Sequence, residues 1–197
     1  HFTQFSDDGA GTYFVAGEGG VLARSLDYGA TFDWIDQSGI TGDVRSVASV
    51  GTSNRFVVGT LVNGVWRTDN GGAVWVQVLN ITDPVLHIQS FGSIVLAFAS
   101  TGCYRSIDGG ITFPAFANTA PTDILDSSVM SPIVMAVGGG GRFRSDDNGQ
   151  TWLQQSTTYG LSVSMLSAQV VLYVEVPNNT VTISINGGIT TVPMNIG

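Results

Sequence analysis

One eight-residue pattern occurs five times in this chain, and its spacing limits the fold more than any other feature. The segments are Ser25 to Phe32 (SLDYGATF), Thr68 to Trp75 (TDNGGAVW), Ser106 to Phe113 (SIDGGITF), Ser145 to Trp152 (SDDNGQTW) and Ser184 to Thr191 (SINGGITT). Their first residues lie 43, 38, 39 and 39 positions apart. A repeat with a period near forty residues marks like supersecondary units that bury a core only against one another. Asp27, Asn70, Asp108, Asp147 and Asn186 stand third in the five segments, and Gly29, Gly72, Gly110, Gly149 and Gly188 stand fifth. A short carboxylate or amide accepts backbone N–H groups within a tight turn, and glycine supplies the positive φ that such a turn demands. The opening Ser or Thr adds a weaker bond of the same type, and the closing aromatic starts the next strand and packs over the hairpin. These ten residues therefore read as a structural clasp rather than as catalytic groups.

Around each clasp lie short runs of β-branched and aromatic residues separated by turn residues. The second repeat gives strands over 44–50, 55–60, 65–68 and 74–78, and the third over 85–89, 93–99, 103–106 and 111–116. The fourth gives 123–130, 133–137, 143–145 and 151–155, and the fifth 161–166, 170–176, 180–185 and 190–193. The first repeat opens with a short strand over 2–5. No helical period runs beyond one or two turns. Four strands per repeat of about forty residues is the blade of a β-propeller. The expectation is an all-β, five-bladed propeller of four-stranded antiparallel blades over 1–38, 39–80, 81–119, 120–158 and 159–197, each clasp joining the third strand to the fourth. The weak first strand and the last clasp, which lacks both Asp and aromatic, suit repeats that flank a ring closure or the margins of an excerpt. His1 in place of Met fits a processed chain or a piece of a longer protein.

Charge narrows the partners. All seven basic residues are Arg, and 15 acidic residues give a net charge of −8. A surface for duplex nucleic acid needs a basic field, which this chain cannot supply, and an anionic membrane leaflet would repel it. The longest apolar runs, Ile94 to Ala99 and Val170 to Val174, are far short of a membrane span. Cys103 is the single cysteine, so no intrachain disulfide forms, and within a strand it reads as a buried thiol. With His1 and His87 as the only histidines, no His-rich zinc site is expected. His1 could chelate copper through its amine and ring, but reads as a cut end. Gly138 to Gly141 joins two strands instead of opening a helix, which makes it a turn and not a phosphate cradle. No calcium loop of the Asp-x-Asp-x-Asp-Gly type occurs. No cofactor or metal is expected. Two sequons, Asn80-Ile81-Thr82 and Asn178-Asn179-Thr180, are as many as chance gives in a chain this rich in Ser and Thr.

The pattern Ser-x-Asp-x-Gly-x-Thr-Trp/Phe resembles the Asp-box (BNR) repeat, and the resemblance covers the whole chain through its five clasps. Asp-box propellers include sialidases, xyloglucan-active glycoside hydrolases, sortilin-type receptors and the photosystem II assembly-factor family, and similar repeats occur in phage and virus tail or spike proteins. The resemblance implies a fold and a peripheral, structural place for the clasps, and leaves function open. A sialidase-like site needs three converging Arg. Arg24, Arg67, Arg105 and Arg144 each stand just before a clasp Ser or Thr and belong to the repeat, leaving Arg45, Arg55 and Arg142 on three different kinds of strand. A glycosidase of another type needs two carboxylates across a cleft. Asp43, Asp123 and Asp126 lie on or beside innermost strands; Asp7, Asp8, Glu18, Asp33, Asp36, Asp83 and Glu175 are the other acids outside the clasps that could serve. The assembly-factor family is expected to have more blades and an Arg-rich patch.

Aligned by their clasps, the innermost strands bring Arg45, His87, Gln89, Asp126 and Ser128 to similar levels, a polar ring that could contact a ligand such as a sugar, together with exposed aromatics such as Tyr159 and Trp34. The expected role is non-enzymatic: a binding or assembly module, a surface-displayed adhesive or receptor/glycan-binding propeller of an extracellular or virion structure, with a protein or glycan partner on a propeller face. The alternatives are a structural subunit within a larger assembly, a glycoside hydrolase-like or sialidase-like propeller, and an assembly-factor-like propeller.

Overall fold

The structure, a computed structural model, describes residues 2–17, 19–114, 121–176 and 180–194, and all side chains among these except those of residues 2 and 3. His1, Glu18, the last two residues of the strand expected over 111–116, and Asn178 and Asn179 of the second sequon lie outside the described residues.

Strands account for all the regular structure described, and no helix occurs among the described residues. The first sheet contains β1 (Phe2–Asp7), β2 (Tyr13–Gly17), β3 (Val21–Ser25) and β4 (Asp33–Trp34). The second contains β5 (Val44–Thr52), β6 (Arg55–Thr60), β7 (Val65–Thr68) and β8 (Val76–Leu79). The third contains β9 (Val85–Phe91), β10 (Ile94–Ala99) and β11 (Gly102–Ser106). The fourth contains β12 (Ile124–Met130), β13 (Ile133–Gly138), β14 (Gly141–Ser145) and β15 (Leu153–Ser156). The fifth contains β16 (Gly160–Met165), β17 (Val171–Glu175), β18 (Thr180–Ser184) and β19 (Val192–Pro193). Each sheet is a meander in sequence order. The strand expected from Ile111 does not form over residues 111–114. Pro114 has no N–H to give a ladder, and Phe113 packs instead into the core between the second and third sheets.

The chain divides into two compact units. Residues 1–100 with 104–116 hold the first two sheets and most of the third; residues 101–103 with 117–197 hold the fourth and fifth. In the first unit, alternation along each strand decides which neighbour a residue meets. Phe14 and Ala16 of β2 point toward the second sheet, where they join Val47, Phe56, Val58 and Trp75 in one core. Phe14 lies 4.7 Å from Phe56, and Phe56 lies 5.4 Å from Trp75, edge to face. Val57, one residue along β6, faces the other way and packs with Val85, Ile88, Val95 and Ala97 of the third sheet. A middle sheet buried on both faces explains why Phe56, Val57 and Val58 of β6 are consecutive apolar residues. In the second unit, Met135 and Val137 of β13 pack against Val163, Met165, Val171 and Tyr173 of the fifth sheet. Each such side chain contributes about 1.5–3 kcal/mol on burial.

Polar side chains on the first strands of the first and third sheets stitch neighbouring sheets together. Gln4 Nε2 donates to the Ile88 carbonyl at 2.6 Å, Ser49 N–H donates to Ser6 Oγ at 3.2 Å, and Ser90 Oγ donates to the Ser49 carbonyl. These bonds satisfy backbone groups that sheet pairing leaves unused.

Candidate functional site

The five clasps share one hydrogen-bond scheme. Asp27 Oδ1 accepts from Ser25 Oγ at 2.7 Å and from Thr31 N–H at 2.9 Å, and Oδ2 accepts from the Thr31 hydroxyl at 2.6 Å. Ser25 Oγ in turn accepts from Gly29 N–H at 2.8 Å. Asp108 and Asp147 repeat these contacts with Ser106 and Thr112, and with Ser145 and Thr151. The two Asn clasps show why an amide suffices there. Val74 replaces Thr in the second clasp, so no hydroxyl donates to a second oxygen, and Asn70 Oδ1 alone holds Thr68 and Val74. In the fifth clasp the polarity of that contact is reversed, and Asn186 Nδ2 donates to Thr190 Oγ1 at 2.8 Å.

The bonds from Thr31 and Ser25 hold the Asp27 carboxyl down to about 2. Burial would raise Asp108 and Asp147, but the hydroxyl and N–H of Thr112 and Thr151, with Ser106 and Ser145, outweigh it and keep both below the usual carboxylate range. Two consecutive residues in each clasp are left-handed, not one: Tyr28 and Gly29 at φ 58° and 86°, Asn148 and Gly149 at 59° and 79°, and glycine pairs in the other three. The N–H of the first residue of each pair donates back to the turn between the first and second strands of its own sheet, to Gly11, Asn54, Ser93, Pro132 or Gln169. The clasp thus fastens one end of every sheet.

The arginines before the clasps bind the next sheet. Arg24 Nη1 donates to the Ser53 carbonyl at 2.9 Å, Arg67 Nη1 to the Gly109 carbonyl, and Arg144 Nη1 to the Gly187 carbonyl at 2.6 Å. Arg67 and Arg144 also pair with Asp69 and Asp146, two residues on, each at 2.6 Å. Arg105 holds the same sequence position on β11.

Of the expected polar ring, three members lie in the first unit and two in the second. Arg45 is half-buried near the start of β5. His87 is buried on β9, its ring stacked on Phe98 at 5.8 Å, and Gln89 Nε2 donates to the Ser90 carbonyl at 3.1 Å. On β12 both oxygens of Asp126 are engaged: Oδ1 accepts from Ser127 N–H, and Oδ2 accepts from Ser162 Oγ at 2.6 Å and Val163 N–H at 2.9 Å. Ser128 Oγ accepts from Met165 N–H at 3.0 Å. Asp126 and Ser128 therefore seat β16 along β12, the role that Ser6 and Gln4 play in the first unit. Trp34 and Tyr159 are exposed.

Other acids outside the clasps sit as follows. Asp7 and Asp8 accept N–H groups of their own turn and, with Ser49, Ser90 and Phe91, line a depression of about 270 Å³. Asp123 is exposed at φ 52°, and its carbonyl accepts from Gly139 N–H. Glu175 is buried 3.3 Å from Arg142, whose guanidinium lies 4.9 Å over the Tyr173 ring. Burial pushes the Tyr173 hydroxyl up to about 12. Arg142 stands where β7 has Val65, so a charged pair replaces an apolar one in that core. No cluster of His, Cys, Asp or Glu suited to a metal ion occurs among the described residues.

The structure adds one surface that the sequence reading overlooked. Val74, Val76 and Val78 point to one side of the outermost strand of the second sheet and, with Ile111, Arg67, Asp69 and Asn70, line a groove of about 360 Å³. Val74, Val76 and Ile111 are all exposed. The signal was legible, since an outermost strand with valine at every second position turns an apolar row to solvent. A second apolar cavity, of about 350 Å³, lies on the first sheet between Val15, Val21, Ala23, Phe32 and Trp34.

No family model and no curated protein matches this sequence. Solved structures do. YCF48 bound to D1 peptide aligns at TM-score 0.70 and 16% identity, over 98% of this chain and 66% of that one. YCF48 from Cyanidioschyzon merolae aligns at 0.70 and 16%, over 100% and 72%. The GH74 xyloglucanase from Xanthomonas campestris aligns at 0.72 and 17%, over 99% and 38%. The fold is that of the β-propellers. At these identities the likeness carries the fold alone. This chain spans just under two thirds of the peptide-bound YCF48 and well under half of the xyloglucanase.

Proposed function

We propose that this chain is a non-enzymatic binding and assembly module, built of five Asp-box blades and displayed on a surface or virion, that holds a protein partner in an extended conformation. The groove beside β8 carries this reading. An outermost strand has an unpaired edge, and one with an apolar row beside it suits an extended segment with apolar side chains at alternate positions. That YCF48 is known bound to a peptide supports a peptide ligand for a propeller of this shape. The carboxylates with traced contacts serve the fold, as clasp acceptors, as strand stitches or as Arg partners. An acidic, lysine-free surface also suits an extracellular setting.

The test is a screen of the chain against an array of extended peptides with a glycan array in parallel, followed by Val76→Asp and Ile111→Asp. The reading expects peptide binding that either substitution lowers by about tenfold or more. Binding of glycans alone, or peptide binding indifferent to both substitutions, overturns it.

A further inference from the structure

The second clasp breaks the scheme that the other four keep, and both of its departures line the groove beside β8. In the first, third and fourth clasps the Asp carboxylate accepts from a Thr hydroxyl, and in the fifth Asn186 donates to one. Val74 has no hydroxyl to offer, so the second clasp lacks that bond, and the valine is 59% exposed. Asn70 Oδ1 accepts from Thr68 Oγ1 and Val74 N–H, which leaves Nδ2 with no partner among the described residues. A pair that costs the turn a bond and sets an apolar group in water marks a position spent on something other than folding.

The fourth sheet shows the same scaffold doing without that pair. Its clasp-aligned residues are Asp147 for Asn70, Thr151 for Val74, Leu153 for Val76 and Gln155 for Val78. β15 pairs with β14 as β8 pairs with β7, and Arg144 reaches the Gly187 carbonyl as Arg67 reaches that of Gly109. The valine row is therefore not a demand of the strand. The alignment also reverses the charge. Beside Arg144 stand two carboxylates, Asp146 and Asp147, whereas Asp69 pairs with two guanidinium groups, Arg55 at 2.8 Å and Arg67 at 2.6 Å. Ile133 holds the place of Arg55 in the fourth sheet. Asp108, near Ile111, has its oxygens filled within its own clasp. The clasp end of the groove thus offers an amide donor and a local excess of positive charge, in a chain of net charge −8. All the residues that line it belong to the first unit.

We infer that the groove selects an extended segment with a carboxylate at one end of its apolar row, received by Asn70 Nδ2 and drawn by the Arg55–Asp69–Arg67 cluster beside it. The inference rests on the peptide reading above and names the chemistry of that partner. Charge complementarity fixes the choice: a carboxylate meets donors that Asp69 leaves over, and a lysine there would face two guanidinium groups. The carboxylate comes from an acidic side chain or from the end of a chain.

Calorimetric titration of the 197-residue chain separates the cases. The probes are short acetylated peptides with valine at every second position. One has Gln at both ends and a C-terminal amide. Two carry Glu at the first or the last position in its place, and one keeps both Gln but has a free carboxyl terminus. The expected result is that at least one carboxylate peptide binds about tenfold or more tighter than the neutral one. Which one does so tells side chain from chain end. Asn70→Asp abolishes that margin, and Arg55→Gln, which leaves every turn bond in place, lowers it by about threefold or more. Circular dichroism checks folding, and Asn70→Asp combined with Val74→Thr, which restores the carboxylate–hydroxyl pair of the other clasps, replaces the first variant if that unfolds. No preference for a carboxylate, or a preference that survives these variants, overturns the inference. If the neutral peptide then still binds and Val76→Asp removes that binding, the proposed function stands; a chain that binds none of the peptides overturns both.

Discussion

Asp108 offers the sharpest test of the clasp. Its carboxylate accepts four hydrogen bonds, from Ser106 Oγ at 2.7 Å, Ile111 N–H at 3.0 Å, Thr112 N–H at 3.0 Å and Thr112 Oγ1 at 2.6 Å. Asp108→Ala removes all four. Each contributes about 0.5–1.5 kcal/mol net, and partial exposure of the site favours the lower half of that range. The expected loss is about 2–4 kcal/mol. Asp108→Asn is the informative control, because Asn186 shows an amide serving a clasp with the same Thr partner, its Nδ2 donating to Thr190. The Asn variant is expected within about 1 kcal/mol of the parent. Hydrogen exchange reads this locally: the amides of Gly110 and Thr112 exchange about thirtyfold faster or more in the Ala variant and near the parent rate in the Asn variant. An Ala variant with parent-like exchange refutes the clasp as a determinant of the fold. An Asn variant as damaged as the Ala one refutes the equivalence drawn from the fifth repeat.

Acid should loosen the clasps. Folded-state values for Asp27, Asp108 and Asp147 lie below the unfolded value, so their stabilisation is complete above about pH 4 and is lost as pH falls through the folded values, near 2 for Asp27. Unfolding monitored by tryptophan fluorescence should show this loss below pH 4, shallower in a triple Asp→Asn variant; a pH-independent midpoint contradicts the assignment. Gly72→Ala should cost about 3 kcal/mol in urea denaturation, because alanine is strained in left-handed backbone at φ 99° and its Cβ would overlap Ile35 Cγ2; a loss under about 1 kcal/mol counts against it. Arg67→Ala should cost about 1–3 kcal/mol by leaving the Gly109 carbonyl without its donor. Arg67→Lys should not restore it, since the guanidinium holds Gly109 and Asp69 together; full rescue by Lys would show that charge alone suffices.

Local rules carried most of the architecture. The strands over 55–60 and 65–68 lie where turn residues bracket β-branched runs, and the clasp hydrogen bonds follow from Ser, Asp, Gly and Thr at fixed offsets, because every partner lies within four residues. Pro114 was equally visible, yet the strand expected through it does not form over residues 111–114; a missing donor outweighs β-branched neighbours. The positive φ of Tyr28 was not legible, since nothing in its side chain favours it, whereas Asn148 before Gly149 is a pair that tolerates it; in both clasps the N–H bonds to the turn of the same sheet. Nor did the sequence show that Asp126 and Ser128 would be spent on β16, or that Arg24, Arg67 and Arg144 would each cap a carbonyl of the following sheet.

That division has one physical cause. The sequence by itself determined the repeat, the strands and the clasps, because turn chemistry and alternation act over a few residues. Tertiary structure decided which apolar faces are covered and which polar groups are already engaged. Val58 and Val15 occupy the same place in the repeat and differ only in what lies across from them: one is buried beneath the first sheet, and the other lines an open cavity. Burial belongs to the pair of surfaces and not to the residue, so no local reading of either valine could have told them apart.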